Sequence, residues 1–313
     1  MSVTPKLDEL FDRRVDFPNP DAQGRLAMLA GIDDQKGRLK AQIDVCVQPK
    51  RLRDWFRWYH PNAHEALTLM LRRPPLVVLA GDVGCGKTAL AENIGDAVSR
   101  DSGDFPITLY PLSLSSRGQG RVGEMTQLIS GAFDIVLQEG RRLCEDDSGT
   151  RAGLILLIDE ADALAQSREE AQMHHEDRAG VNALIRGIDR IADAKVPVAV
   201  IMCTNRLGAL DPAIRRRAAD ILSFHRPDDS QRRDVLTRMT SGFALSDAEV
   251  DHLVKATGRI EGRTCGFTFS DITQRLLPAM VLDAYPGSAV NAKRAIAIAE
   301  NTAPTAPFKE GIQ

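Results

Sequence analysis

The sequence contains few cysteines, and none of them lie close together. In a chain of 313 residues there are five, with no C-x-x-C pair: Cys46, Cys85, Cys144, Cys203 and Cys265. Their odd number and wide spacing predict reduced thiols rather than a disulfide framework, which favours a cytoplasmic protein. No apolar run approaches the ~20 residues of a membrane helix, and residues 1–10 lack the apolar core of a signal peptide. Secretion and membrane insertion are therefore not expected.

An excess of basic charge is absent as well. Lys and Arg total 40 against 43 Asp and Glu, so the formal net charge is −3. This balance argues against a protein whose main role is to neutralise a nucleic-acid backbone, although it leaves room for a local basic groove. The apolar share of 43% and the charged share of 27% are ordinary for a globular protein. The length suits one large or two modest domains.

Short aliphatic runs alternate with longer amphipathic segments in the middle of the chain. The runs have the length of buried strands: Leu76–Ala80, Ile107–Leu112, Leu154–Ile158, Val196–Cys203 and Ile221–Phe224. The segments between them are long enough for crossover helices, so we predict an α/β fold whose parallel sheet carries helices on both faces. The predicted organisation is an N-terminal arm (residues 1–25), a large α/β domain (26–226), a small helical domain (227–301) and a frayed tail (302–313).

The first predicted strand leads into a glycine-rich loop, Gly81–Thr88 (GDVGCGKT), which matches the phosphate-binding pattern G-x-x-x-x-G-K-[ST]. In such loops the backbone N–H groups and the N-terminus of the following helix hold phosphate oxygens. We predict that Lys87 neutralises the β- and γ-phosphates and that the Thr88 hydroxyl binds Mg²⁺. For Cys85, a tolerated small side chain is favoured over a redox switch. The predicted nucleotide-binding residues of this stretch are Gly81, Asp82, Val83, Gly84, Cys85, Gly86, Lys87, Thr88 and Ala89.

Two acids, Asp159 and Glu160, directly follow the strand predicted at Leu154–Ile158. The carboxyl ends of parallel strands are where α/β folds place their chemistry. Asp159 suits a Mg²⁺ ligand, and Glu160 suits the carboxylate that prepares water for attack on the γ-phosphate. The second acid favours ATP hydrolysis coupled to motion over a GTP-binding switch. We therefore expect ATP and Mg²⁺ as cofactors.

Polar and basic residues follow the next predicted strand. Asn205 stands at its tip, where an amide can bridge the γ-phosphate and the attacking water. Three arginines, Arg215–Arg217, come after a turn that begins with Pro212. We predict that Arg216 and Arg217 reach ATP bound to a neighbouring subunit, where an arginine stabilises transition-state charge. The alternative is a basic helix face in contact with solvent.

In combination, four segments resemble the AAA+ ATPase superfamily: GDVGCGKT (81–88), LILLIDEAD (154–162), MCTNR (202–206) and LDPAIRRRAADILSFHRPD (210–228). The resemblance implies an ATPase domain followed by a helical lid, and assembly into a ring, most often a homohexamer. The stretch Ala30–Lys40, with Ile32, looks like the segment that lines the adenine pocket in this family. Residues 266–272 (GFTFSDI) look like the lid motif G-F-S-G-A-D-I. Ser270 stands where other branches place a nucleotide-sensing arginine.

Further stretches are similar to the pachytene-checkpoint branch of this superfamily: residues 177–191, Arg217–Ile221 and Leu276–Met280. That branch remodels HORMA-domain proteins, opening or partly unfolding them. Its eukaryotic members carry a substrate-binding N-terminal domain, whereas residues 1–25 alone precede the ATPase pattern here. This compact form resembles bacterial members, which accompany a HORMA protein and a cyclic-oligonucleotide synthase in anti-phage operons. The resemblance thus implies a HORMA-domain protein, with its bound nucleotidyltransferase, as partner.

The segment Arg117–Glu124 contains the pattern G-x-G-x-x-G, which alone is weak evidence for a dinucleotide site. Its position between the second predicted strand and the next helix matches the axial pore loop of AAA+ rings. The resemblance therefore implies that Arg121, Val122 and Gly123 contact a protein substrate. Arg121 stands where that loop usually has an aromatic residue. A surface loop without a substrate role is the alternative.

Two other functions compete with protein remodelling. A DNA-acting AAA+ loader or initiator would use the basic and aromatic residues of Arg51–His60 (RLRDWFRWYH) to bind a single strand. We favour an amphipathic helix that packs its aromatic face on the ATPase domain. A scaffold that uses ATP only to assemble is the second rival, against which Glu160 and Asn205 count.

Overall fold

The computed structural model describes residues 10–114, 124–145, 149–164 and 175–307. The strands of the sheet are β1 (Val15–Phe17), β2 (Leu76–Gly81), β3 (Ile107–Ser113), β4 (Gly153–Asp159), β5 (Val198–Thr204) and β6 (Ala218–Phe224). The helices are α1 (Pro20–Met28), α2 (Asp33–Val47), α3 (Pro49–Tyr59), α4 (His64–Leu71), α5 (Lys87–Asp101), α6 (Glu124–Leu143), α7 (His175–Ala194), α8 (Pro212–Arg215), α9 (Asp229–Thr240), α10 (Asp247–Thr257), α11 (Leu277–Ala284) and α12 (Ala292–Asn301). Short 3₁₀ turns cover Ala161–Leu164 and Leu207–Ala209. None of the described helices is long and apolar enough to cross a membrane.

The sheet has the strand order β1-β3-β4-β5-β2-β6. Strands β3, β4, β5 and β2 pair in parallel, and β1 pairs antiparallel with β3 at the edge. Ile158 pairs with Met202, and Ala80 pairs with Thr204. The carboxyl ends of β4, β5 and β2 therefore lie at one edge of the sheet. The acids that follow β4 and the Asn205 that follows β5 start from this edge.

Helices cover both faces of the sheet because side chains alternate along each strand. Leu154, Leu156 and Ile158 of β4 belong to the same buried cluster as the apolar sides of α6 and α7. Ile155 points to the opposite face, where its Cδ1 would lie 3.3 Å from a Cβ added to Gly95 of α5. The predicted fold class, a largely parallel sheet between two helical layers, is confirmed.

The chain divides into two compact units. The first unit comprises the described residues within Met1–Ala27, Asp34–Ala80 and Thr88–Ser223. The second unit comprises the described residues within Met28–Asp33, Gly81–Lys87 and Phe224–Gln313. It thus combines the glycine-rich loop and the stretch around Ile32 with helices α9–α12, whose core includes Leu253, Phe267 and Leu276. The domain boundaries expected at residues 26, 227 and 302 stay predictions.

Part of the predicted N-terminal arm is ordered structure. Val15–Phe17 forms the edge strand β1, and Phe17 is buried. Pro20 occupies the first position of α1, where its missing N–H costs nothing. Residues 15–17 and 20–25 of the predicted arm thus lie in regular elements, while the boundary of the arm at residue 25 stays a prediction.

Helix α3 forms where the basic and aromatic segment predicted it, but its aromatic face is not buried. Trp58 is 80% exposed and Trp55 is 47% exposed, whereas Phe56 is buried. Phe56 alone among these rings lies on the inner side of the helix, so the expected packing of the aromatic face is wrong. Of the basic residues, Arg51 donates to Asp44 and Arg57 pairs with Asp54.

Within the predicted helical domain, the segment Ser270–Ala284 changes its winding along its length. Asp271–Leu276 is a π-helical turn, and α11 continues from Leu277. Pro278 has no N–H to donate to the carbonyl four residues earlier, which favours the wider turn before it. The tail also departs from the expected fraying, because Thr305 donates its N–H and hydroxyl to Asp271.

Gly187 of α7 is a test of how closely α7 packs on α6. A Cβ at this position would lie 2.3–2.6 Å from the Phe133 ring, whereas a Cβ on Gly37 of α2 would meet nothing within 4 Å. Both glycines are inside helices, where alanine is intrinsically favoured. We expect Gly187→Ala to lower the free energy of unfolding by about 1–2 kcal/mol through overpacking, and Gly37→Ala to raise it by about 0.5–1 kcal/mol. Denaturant unfolding checks both, and equal stabilisation by the two substitutions would contradict the described packing.

Candidate active site

The glycine-rich loop Gly81–Lys87 follows β2 and leads directly into α5, as predicted. Gly84 has a φ of +73°, a left-handed conformation that glycine adopts without strain. The loop is tight enough for the Lys87 Nζ to donate to the carbonyl oxygens of Gly81 (2.9 Å) and Asp82 (2.8 Å). Lys87 is 6% exposed. The structure thus places a buried ammonium inside a curled backbone, the arrangement that holds phosphate groups.

The remaining loop residues take distinct positions. The Asp82 carboxylate accepts the N–H of Val83 at 2.9 Å. A Cβ added to Gly86 would lie 3.8 Å from Ile32 Cδ1, which places Ile32 beside the loop. Its contact with adenine stays a prediction. Thr88 and Ala89 form the first turn of α5, so the N–H groups at this helix end are available for anionic ligands.

Cys85 is fully buried in the loop. Burial, with a contribution from the Asp82 carboxylate, raises the pKa of its thiol to about 11. The thiol is therefore protonated near neutral pH, and a protonated thiol is a poor nucleophile. This favours the interpretation of Cys85 as a tolerated small side chain over the redox switch.

The two acids after β4 are placed at the carboxyl end of that strand. Asp159 is its last residue, and its Oδ1 accepts the backbone N–H of Glu160 at 2.8 Å. Glu160 has a φ of +54°, which is uncommon for a residue with a side chain and is typical of strained functional positions. Thr88 and Asp159 offer hydroxyl and carboxylate oxygens, the donors that Mg²⁺ prefers, so this pair fits the predicted metal.

Ser113 is a site residue that the sequence prediction missed. Its hydroxyl donates to Glu160 Oε2 at 2.8 Å. Ser113 ends β3 and pairs in register with Asp159, which brings its side chain to the predicted base. The signal was a polar residue at the carboxyl end of a strand, but the predicted strand stopped one residue earlier.

Asn205 is held in place by Asp162, a second residue that the prediction missed. Its side-chain amide donates to Asp162 Oδ2 at 3.0 Å, and its backbone N–H donates to Oδ1 at 2.9 Å. The hydroxyl of Thr204 donates to the same carboxylate. Asp162 is 9% exposed, so these bonds are shielded from water. The third acid of LILLIDEAD is thus the residue that orients Asn205.

The arginines after α8 differ from one another. Arg217 makes a bidentate ion pair with Asp189 of α7, at 2.7 and 2.9 Å, which raises the pKa of its guanidinium. Arg216 is exposed, and its guanidinium makes no hydrogen bond or ion pair with the described part of the chain. The side chain of Arg216 is therefore accessible to another molecule, whereas Arg217 links the start of β6 to α7.

The remaining predicted positions belong to the pore loop and the lid motif. Arg121, Val122 and Gly123 lie outside the described residues. In the lid motif, the Ser270 backbone N–H donates to the Gly84 carbonyl at 3.1 Å. Arg275 pairs with Asp271 within its own turn.

Comparisons with known proteins identify the family of this chain. A family model described as "ATPase family associated with various cellular activities (AAA)" matches residues 77–226. CD-NTase-associated protein 6 of Escherichia coli strain MS 115-1 is 57% identical over 98% of this chain and 99% of that protein. The protein of the same description from strain KTE188 is 37% identical over 90% of this chain and 92% of that protein.

Solved structures give the same assignment. A chain from the structure of the E. coli MS115-1 HORMA:CdnC:Trip13 complex has a TM-score of 0.90 and 56% identity, covering 98% of this chain and 100% of that one. The structure of Rhizobiales Trip13 has a TM-score of 0.74 and 47% identity, covering 95% and 100%. The chain therefore belongs to the AAA ATPase family, in the group that includes CD-NTase-associated protein 6.

Proposed function

We propose that this ATPase assembles as a ring, a homohexamer, and uses ATP hydrolysis to open or disassemble a HORMA-domain protein. The observation that carries the proposal is the likeness, over nearly the whole of both chains, to a chain solved in a HORMA:CdnC:Trip13 complex. A nucleotidyltransferase bound to the HORMA protein is the second partner. The setting is cytoplasmic anti-phage signalling by cyclic oligonucleotides.

The residues of the site divide the ATPase reaction among them. The backbone of Gly81–Lys87 and the Lys87 ammonium bind the phosphates, with Ile32 beside the adenine. Thr88 and Asp159 hold Mg²⁺, which when bound offsets the charge that develops on the phosphates. Glu160 orients and deprotonates the attacking water.

Two side chains orient the proposed catalytic groups in advance. The hydroxyl of Ser113 donates to Glu160, so this carboxylate is already oriented before water and ATP are in place. Asp162 fixes the amide of Asn205, which is proposed to contact the γ-phosphate and the water. Arg216 of one subunit completes the site of the next, and Arg217 supports it by anchoring α8 and β6 to α7.

Motion of the pore loop transmits the reaction to the substrate. We infer that Arg121, Val122 and Gly123 contact the HORMA protein, with a guanidinium where an aromatic ring is usual. Arginine binds backbone carbonyls and acidic groups rather than apolar surface, which suits limited opening of a folded domain.

The DNA-acting alternative has less support. The formal net charge is −3, and Arg51 and Arg57 of the basic and aromatic helix α3 pair with acids of their own chain. DNA loading predicts ATPase stimulation by DNA and binding that weakens steeply with salt. Protein remodelling predicts stimulation by the HORMA-domain protein instead.

Glu160→Gln is expected to bind ATP, assemble and stall on its substrate. Removal of the base lowers ATP turnover by about 10²-fold or more, while the phosphate loop stays intact. Affinity capture with Glu160→Gln in the presence of ATP should retain a HORMA-domain protein. Glu160→Gln with ADP, and Lys87→Ala with ATP, should not retain it. The matched control Glu65→Gln changes an exposed glutamate of α4 and should hydrolyse ATP as the wild type does. Turnover by Glu160→Gln at the wild-type rate would refute the assigned mechanism.

Arg216→Ala is expected to lower kcat by about 10³-fold without lowering thermal stability, because its side chain is exposed. Arg217→Ala should lower the melting temperature, because it breaks the pair with Asp189. Mixing supplies the decisive measurement. Arg216→Ala has an intact nucleotide site, and Lys87→Ala has an intact arginine, so mixed rings should regain ATPase activity that neither variant shows alone. Mixed rings without such recovery, or a comparable loss in the exposed control Arg215→Ala, would contradict the role of Arg216.

A further inference from the structure

We propose that Arg226 is a positioning residue for the phosphate loop, and that Thr305 of the C-terminal segment holds Arg226 in place. Arg226 acts by neutralising Asp82, an acid inside the loop. The proposal rests on the proposed ATP site and adds a second requirement to it. The contacts that carry it all lie within the second unit.

Arg226 joins three segments that are far apart in sequence. Its Nε donates to Asp82 Oδ2 at 2.6 Å, its Nη1 to the Gly266 carbonyl at 2.8 Å, and its Nη2 to the Thr305 carbonyl at 2.7 Å. The side chains of Arg226 and Asp82 are 15% and 17% exposed, so water screens their attraction little. The planar guanidinium uses all three of its nitrogens, an arrangement that lysine cannot reproduce.

Asp82 explains why the loop needs this cation. Asp82 is the second residue of the loop, and its carboxylate would repel the phosphate groups of a nucleoside triphosphate bound to the same backbone. The pair with Arg226 offsets this negative charge. The second carboxylate oxygen accepts the N–H of Val83, so the pair also fixes the backbone at the crest of the loop.

The end of β6 places Arg226 at the right distance from the loop. The Asp82 N–H donates to the Phe224 carbonyl at 3.3 Å. A Cβ on Gly81 would lie 1.9 Å from the Phe224 oxygen, so only glycine permits this approach. Arg226 follows two residues later and reaches across to Asp82.

Thr305 anchors the far side of Arg226. Its carbonyl accepts from Arg226, while its N–H and hydroxyl donate to Asp271 at 3.0 and 2.7 Å. Asp271 is fully buried. Burial alone would raise its pKa, but hydrogen bonds from Thr268, Thr305 and Arg275 lower it, so the acid is ionised and binds these donors strongly.

The lid motif is therefore connected to the loop by two routes. The direct route is the bond from the Ser270 N–H to the Gly84 carbonyl at 3.1 Å. The indirect route runs from Asp271 through Thr305 and Arg226 to Asp82. A change in either the lid motif or the C-terminal segment is expected to alter how the loop binds phosphate.

The test measures KM for ATP and kcat separately in the full chain, with ADP binding by calorimetry beside them. Arg226→Gln is expected to raise KM about tenfold with kcat within about threefold of wild type, because a charged hydrogen bond is lost and Asp82 loses the cation that neutralises it. The double variant Arg226→Gln/Asp82→Asn should return KM to within about threefold of wild type, because the carboxylate that Arg226 neutralises is gone. Arg259→Gln, an exposed arginine of the same unit, is the matched control.

The rescue is the result that a purely structural role of Arg226 would not give. A double variant as impaired as Arg226→Gln would overturn the proposal. If Arg226→Gln does not fold, Arg226→Lys replaces it, because lysine keeps the positive charge. KM for Arg226→Lys should rise by no more than about threefold, through the lost contacts with Gly266 and Thr305, and a larger rise would overturn the role of charge.

Thr305 is tested in the same assay. Thr305→Ala removes one donor to Asp271 and should raise KM about twofold to threefold with kcat unchanged; an unchanged KM would remove Thr305 from the proposal. Lys87→Ala tests the ATP site independently. If Lys87→Ala binds ATP normally, the assignment of the ATP site fails. If Lys87→Ala loses ATP binding but Asp82→Asn does not restore KM in Arg226→Gln, the Arg226 proposal alone is refuted.

Discussion

The parallel register of β4, β5 and β2 is the constraint on which the catalytic side of the molecule depends. Leu156 pairs with Val200, and Val200 pairs with Leu76, so the three strands end together. A shift of one residue would turn every buried side chain of a strand to the opposite face and move its end by about 3.3 Å. Because these strands are closely packed on both faces, side chains of different size would have to exchange places, and this opposes the shift. The polar residues that follow them inherit their positions from this packing.

The second unit follows a different principle, because polar groups rather than apolar surface link its phosphate loop to its helices. The guanidinium of Arg226 and the carboxylate of Asp271 each bind more than one segment, and the ammonium of Lys87 binds two carbonyls of the loop. Such bonds are directional and shielded from water, so they fix the backbone closely, and each is costly to leave unsatisfied. The apolar cluster of α9–α12 gives this unit its stability, and the ionic groups give the loop its shape.

The sequence predicts the parts of this protein that local pattern determines. Short aliphatic runs and the spacing from Gly81 to Thr88 were enough for strands β2–β6, the loop and its helix, but not for the edge strand β1. The residues that the prediction missed, Ser113, Asp162 and Arg226, act through partners 43 to 144 positions away, and no local pattern identifies such partners. The exposed face of α3 was missed for a related reason, since an aromatic-rich helix has the same pattern whether or not a surface covers it. The π-helical turn before Pro278 depends on a single absent N–H, which the spacing of apolar residues does not reveal.

The carboxylate of Asp162 has a consequence for how this protein can evolve. It joins the turn after β4 to the tip of β5, because Thr204 and Asn205 both donate to it. Asp159, Glu160 and Asn205 lie next to this shared cross-link, and a change that displaces it is expected to affect the proposed metal ligand, the proposed base and the amide together. Residues coupled in this way do not drift one at a time. Sequence divergence in the family is thus expected to spare this small cluster as a block, while the strands behind it exchange one aliphatic residue for another.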